Sequence, residues 1–192
     1  MVKNAVLFFL AGLMFFSCQT GKPINRASEK AIMYGMIYDF DNTPVSGVSV
    51  FINNKKIADS DIQGRFIIDN MESGEYKIKL TRRGYEILEE IFIFDPLQVL
   101  YFKIISAGQL INMAESALEL KDYQNAENYI NRIIAIEPNR SDTLFLQSIT
   151  FYLQGKNREA ISVLENLIRK GIVEPGIIQL HEILQQRLEQ EE

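Results

Sequence analysis

The 192-residue chain has room for one or two domains, and 47% hydrophobic with 23% charged residues is the balance of a packed globular protein, not a disordered one. A net charge of -5, with lysines and arginines scattered, excludes the basic face that a nucleic-acid partner needs. One cysteine and one histidine exclude an internal disulfide framework and a four-ligand zinc site of the usual kind.

Lys3 gives a positive start, and residues 5–16 (AVLFFLAGLMFF) form an unbroken apolar run that ends at Ser17 and Cys18. A charge, a run of about 7–15 apolar residues and then a small residue is the pattern of an export signal. A spanning helix needs about 20 apolar residues, and Gln19, Thr20, Gly21 and Lys22 end this run well short of that. Phe15-Phe16-Ser17-Cys18 resembles a bacterial lipobox. The resemblance implies that residues 1–17 are removed and that the Cys18 thiol carries a covalent lipid, with no other cofactor expected. It also implies a lipid-anchored protein of the bacterial cell envelope, at the outer membrane rather than the inner. Ser17 fills the small position before the cysteine. Phe15 stands where the family usually has Leu, and Phe16 where it usually has a small residue. An ordinary signal peptide with a chance cysteine is the alternative. Residues 18–30 continue as a polar stretch without periodicity, QTGKPINRASEK after the cysteine. It reads as a tether that reaches at most about 40 Å.

Residues 31–105 read as a β-sandwich. Stretches rich in strand formers occupy 31–38, 48–52, 65–68, 76–80, 87–94 and 98–104. Turn signals separate them at 41–44, 53–54, 61–64, 72–74 and Gly84. Tyr76, Ile78 and Leu80 alternate with Lys77 and Lys79, the period of a half-buried strand. Gly35, Ile37 and Asp39, then Pro44, Val45, Gly47, Val48 and Val50, resemble the first block of the carboxypeptidase regulatory-like domain. Asp61, Gly64 and Phe66, then Gly74 and Tyr76, then Gly84 and Tyr85, resemble its second block. That family is a transthyretin-like sandwich, and the resemblance implies a non-catalytic folding or docking module with its glycines at turns. It places Met33, Ile37, Val48, Val50 and Ile52 inward and Tyr34, Met36, Tyr38 and Phe51 outward. The outward apolar group is expected to meet the helical region, or to form a sugar-stacking platform on Tyr34 and Tyr38.

Residues 107–192 change to a helical period. Leu110 and Leu144, Ala117 and Phe151, Ala126 and Ala160, Ile130 and Leu164, and Ile133 and Leu167 are each 34 positions apart. This spacing resembles the tetratricopeptide repeat. Two repeats and a last capping helix from Gly176 to about Gln190 are predicted. Ala126 and Ala160 hold the family's small position, Tyr123 its aromatic position and Pro138 its closing proline. Leu110 and Leu144 replace the usual Trp, and Asn157 replaces the second aromatic. The family pattern implies a concave groove lined by Ile111, Glu115, Leu118, Phe145, Ile149 and Tyr152. The apolar residues of 144–153 run almost completely round a helix, so that helix is buried on all sides or faces a partner. The groove is either open or filled by the last helix or the sandwich.

No catalytic constellation or metal site is readable. His181 has no acid or nucleophile beside it in sequence and reads as a surface residue. The 59–64 stretch (DSDIQG) faintly resembles the start of a calcium loop, but Asn70 stands at the twelfth position where an acidic ligand is needed, so a turn is expected. The chain therefore reads as a non-enzymatic lipoprotein with two modules, β then α. Its expected partners are a membrane, through the lipid, and another envelope protein or peptide. A carbohydrate-binding lipoprotein that holds a glycan on Tyr34 and Tyr38 is the alternative. The short join at 105–107 predicts modules that abut.

Overall fold

The computed structural model describes residues 30–191. Seven strands come first: β1 (Ala31–Tyr38), β2 (Ser49–Ile52), β3 (Lys55–Asp59), β4 (Arg65–Met71), β5 (Gly74–Thr81), β6 (Leu88–Phe94) and β7 (Val99–Lys103). They form two sheets, ordered β4-β1-β7 and β3-β2-β5-β6. The core between them holds Met33, Ile37, Val48, Val50, Ile52, Phe66, Ile78, Leu80, Phe94 and Phe102. A fully buried side chain of this kind contributes roughly 1.5–3 kcal/mol. The β-sandwich expected from the alternation is thus present, with the five predicted inward residues inside it.

β3 was not expected. Asn53 and Asn54 both adopt left-handed backbone angles (φ 47° and 68°), which suits a two-residue hairpin. The strand that follows, KKIAD, is an edge strand with four of five residues exposed, so it lacks the apolar alternation that marks a strand in sequence. Gly35 also differs from expectation, because it lies inside β1 and not at a turn. The Phe66 ring lies where a Cβ would be, 2.1 Å from the Phe66 Cζ. Gly64 does occupy a turn, at φ +74°, and a Cβ there would lie 2.4 Å from the Ile37 carbonyl oxygen.

Five helices follow: α1 (Ala107–Glu119), α2 (Tyr123–Ile136), α3 (Ser141–Leu153), α4 (Asn157–Arg169) and α5 (Pro175–Glu191). The starts of α1, α3 and α5 are 34 positions apart, as are those of α2 and α4. Ala126 and Ala160 are fully buried in α2 and α4. Large apolar residues fill the space around them: Leu110, Ile130 and Ile133 in the first pair, Leu164, Leu167, Ile177 and Leu184 further on. α3 is packed against both α2 and α4, which accounts for its near-complete apolar circumference. Its buried Ser148 and Thr150 hydroxyls donate to the Phe145 and Leu146 carbonyls at 2.7 and 2.8 Å, so neither is left unpaired.

The sandwich and the helices meet through a buried join. Ile104 and Ile105 are 3% exposed. The Ala107 N–H donates to the Gly84 carbonyl and the Glu86 N–H to the Ile105 carbonyl, both at 2.9 Å. Ser106 caps α1, accepting from the Gln109 N–H at 3.1 Å while the Gln109 side chain accepts from the Ser106 N–H. Gln109 Nε2 also donates to Asp41 Oδ2 on the sandwich.

The strand directions give the sandwich two distinct ends. The chain enters at Ala31, beside Met71 at the end of β4, and the 72–73 and 95–98 turns lie at that same end. The helices attach at the opposite end, with the 39–47 and 60–64 turns and Gly84. The eight residues of β5 separate the two ends by about 26 Å at 3.3 Å per residue.

Candidate functional site

α1, α3 and α5 share one side of the helical region. Between them is a cavity of about 280 Å³ lined by Ile111, Glu115, Ser141, Asp142, Phe145, Leu146, Ile149, Glu174 and Ile177. Four of the six residues expected to line a groove meet there: Ile111, Glu115, Phe145 and Ile149. Leu118 and Tyr152 do not line it. Tyr152 packs instead against the α4–α5 core, with the Arg187 guanidinium 4.9 Å from its ring centre. Phe145 is also half-buried against that core, and a Cβ on Gly176 would approach its ring to 3.3 Å. The last helix therefore covers one wall of the groove and leaves the rest open.

The sequence leaves open that the last helix fills the groove, and Ile177 at the start of α5 does line it, beside Glu174. The signal for it was present, since Pro175 follows Ser141 by the same 34 positions that separate Ser141 from Ala107. The α5 start thus continues the spacing set by α1 and α3.

The floor of this cavity is apolar and its rim carries Glu115, Asp142 and Glu174. Burial pushes the Asp142 carboxyl up, but bonds from Arg140 and from the Thr143 N–H outweigh it and hold the group below its ordinary range. The volume is at the lower limit for a small-molecule pocket and suits one apolar side chain of a larger ligand.

Two larger clefts lie at the join. One, of about 470 Å³, is lined by Phe40, Asp41, Gln109, Met113 and Tyr129 among others. The other, of about 620 Å³, has Arg82, Arg83, Glu86, Ile87 and Ile136 in its wall.

The remaining candidates fall as follows. Cys18 lies outside the described residues. Tyr34 is 47% exposed, so the expected contact between its face and the helices is absent: no helix packs along β1. Tyr38 is half-buried and its hydroxyl points to the Met36 sulfur at 3.7 Å. Asp61 accepts at 2.9 Å from the Gln63 and Arg65 N–H groups and from the Arg65 side chain, the role of a turn residue. His181 is not a surface residue. Its side chain is 16% exposed and faces Glu165 at 4.0 Å. No group of three or more metal-ligating side chains exists among the described residues. No described helix is long and apolar enough to cross a membrane.

No protein-family model matches the chain, and no curated protein does. Among solved structures it is similar to a type II cohesin–X–dockerin complex from Acetivibrio cellulolyticus, at 20% identity and TM-score 0.34 over 40% of this chain and 58% of that one. It is similar to a streptococcal ancillary pilin at 20% identity and TM-score 0.35, over 41% of this chain and 30% of the pilin. It is similar to the major pilin subunit of Bacillus cereus at 16% identity and TM-score 0.32, over 40% of this chain and 28% of that one. The chain spans less than two thirds of each of these neighbours. The described chain is a β-sandwich followed by five helices, with a small apolar cavity among the first, third and fifth.

Proposed function

We propose that the protein is a non-catalytic, membrane-tethered scaffold of the cell envelope. In this reading the helices are a tetratricopeptide-type array that holds another protein, and a carboxypeptidase regulatory-like sandwich carries them. The observation that supports it most is the meeting of Ile111, Glu115, Phe145 and Ile149, from two helices and 38 positions apart at the extremes, around one open cavity. An apolar floor with a carboxylate rim fits a peptide or helix that inserts one apolar side chain and flanks it with Lys or Arg. The reading assigns acylation to Cys18, no further cofactor and no catalytic step. The 34-position recurrence of the helix starts and the buried alanines at matching places support the repeat assignment.

A glycan-binding reading has less support. Tyr34 is open, but Tyr38 is half-buried, so the two rings do not make one platform.

Ile149→Asp tests the groove. It should abolish recovery of a bound envelope protein while far-ultraviolet circular dichroism stays unchanged; undiminished recovery would remove the groove reading. Labelling with a fatty-acid analogue tests the tether, and a mark that survives Cys18→Ser would contradict it.

A further inference from the structure

The middle of the outer face of the β4-β1-β7 sheet is apolar, and no helix packs on it. Ile67, Tyr34 and Val99 sit side by side across the three strands, and Ile32 and Tyr101 extend the same face. All five are exposed, from 43% for Ile32 to 67% for Tyr101. Arg65, Asp69 and Lys103 point the same way around this group. Isolated exposed apolar residues are ordinary, but five in contact across three strands are not.

We propose that this face rests on the lipid bilayer. The inference rests on the tether reading above and adds a second contact to it. The chain leaves the described structure at Lys30, immediately beside this face, and twelve residues separate Cys18 from Ala31. They reach at most about 40 Å, so an anchored Cys18 keeps Ile32 close to the membrane. Tyrosines favour the boundary between headgroups and hydrocarbon. Lys103 stands at the far rim, beside Tyr38, where a cation meets lipid phosphates. A second copy fits less well. Three strands about 4.8 Å apart and about 3.3 Å per residue give roughly 250–350 Å², well short of the about 800 Å² per partner of a stable dimer. A tethered contact needs far less area, because the anchor raises its effective concentration.

The chain contains no tryptophan, so Tyr101→Trp installs a single fluorophore on this face in the full-length protein. Ile62→Trp is the control, at a position 87% exposed in a turn at the end of the sandwich where the helices attach. Vesicles of phosphatidylethanolamine and phosphatidylglycerol carrying brominated acyl chains are the probe. The expected result is co-flotation of both proteins, with a blue shift and quenching for Tyr101→Trp alone, and loss of that quenching on adding Tyr34→Glu and Val99→Glu. Co-flotation with Tyr101→Trp as water-exposed as Ile62→Trp overturns the face contact and leaves the tether standing. Failure to co-float overturns both. A blue shift that grows with protein concentration without vesicles assigns the face to a second copy and overturns the proposal.

Discussion

Arg132 on α2 holds Glu86 of the sandwich with two parallel bonds, Nε to Oε1 at 3.0 Å and Nη2 to Oε2 at 2.7 Å. This paired geometry fixes direction as well as distance and lies beside the covalent join. Both side chains are about one-third exposed, so solvent screens the attraction. Arg132→Met should lower stability by about 0.5–1 kcal/mol and broaden the distance distribution between the modules in small-angle scattering.

The same pair predicts a pH response. The bond from Arg132 outweighs burial and holds the Glu86 carboxyl below its ordinary range. A depressed folded pKa contributes stability that is present above the unfolded value, about 4.3 for a glutamate, and is lost as pH falls through the folded value. Module docking should therefore be constant from neutral pH down to about 4.3 and weaken as the pH falls further, until the folded value is passed. Scattering profiles recorded down the acid side would show this in wild type and a smaller change in Arg132→Met.

Glu89 is the clearest electrostatic case on the sandwich. Lys77 and Lys79 both bond it at 2.8 Å, and together they hold its pKa at about 2. The side chain is 38% exposed, so its midpoint should rise with added salt. Carboxyl resonances followed by NMR should place it near 2 in the wild type and higher in Lys79→Ala.

Gly35→Ala should destabilise the sandwich by about 1–3 kcal/mol, because the new methyl would overlap the Phe66 ring. Phe66→Leu in the same chain should recover part of that loss. Urea unfolding of the two single variants and the double variant measures it, and additive losses would show that the ring is not the obstacle.

Ser106→Ala removes the cap that starts α1 and should cost about 1 kcal/mol. Gln109 would remain bonded to Asp41. Amide exchange should therefore quicken in the first turn of α1 and leave α3 unaffected.

These elements differ in how openly the sequence declares them. Six strands follow from alternation and turn residues, and the helical region from a 34-position recurrence of Leu, Ala and Ile. β3 did not declare itself, because an exposed edge strand of lysines has no buried face to leave an apolar pattern. Gly35 looked like a turn glycine, since its cause is a ring from β4 that no local pattern reveals. The groove residues were readable only as a periodic set. That Tyr152 falls away from the cavity depends on where α5 packs, and so does the partial burial of His181. The bare outer face of β1 was visible as Tyr34, Met36 and Tyr38, but its freedom from the helices depends on the end at which they attach.

The central claim is that the cavity between α1, α3 and α5 receives a side chain from a partner. A photo-crosslinking residue placed at Glu115, on the exposed rim, tests it in the intact envelope. The account predicts one discrete adduct that disappears when Ile149→Asp is added and is absent when the probe is moved to Arg158 on α4. Equal adduct patterns from Glu115 and Arg158, or an adduct indifferent to Ile149→Asp, would contradict it.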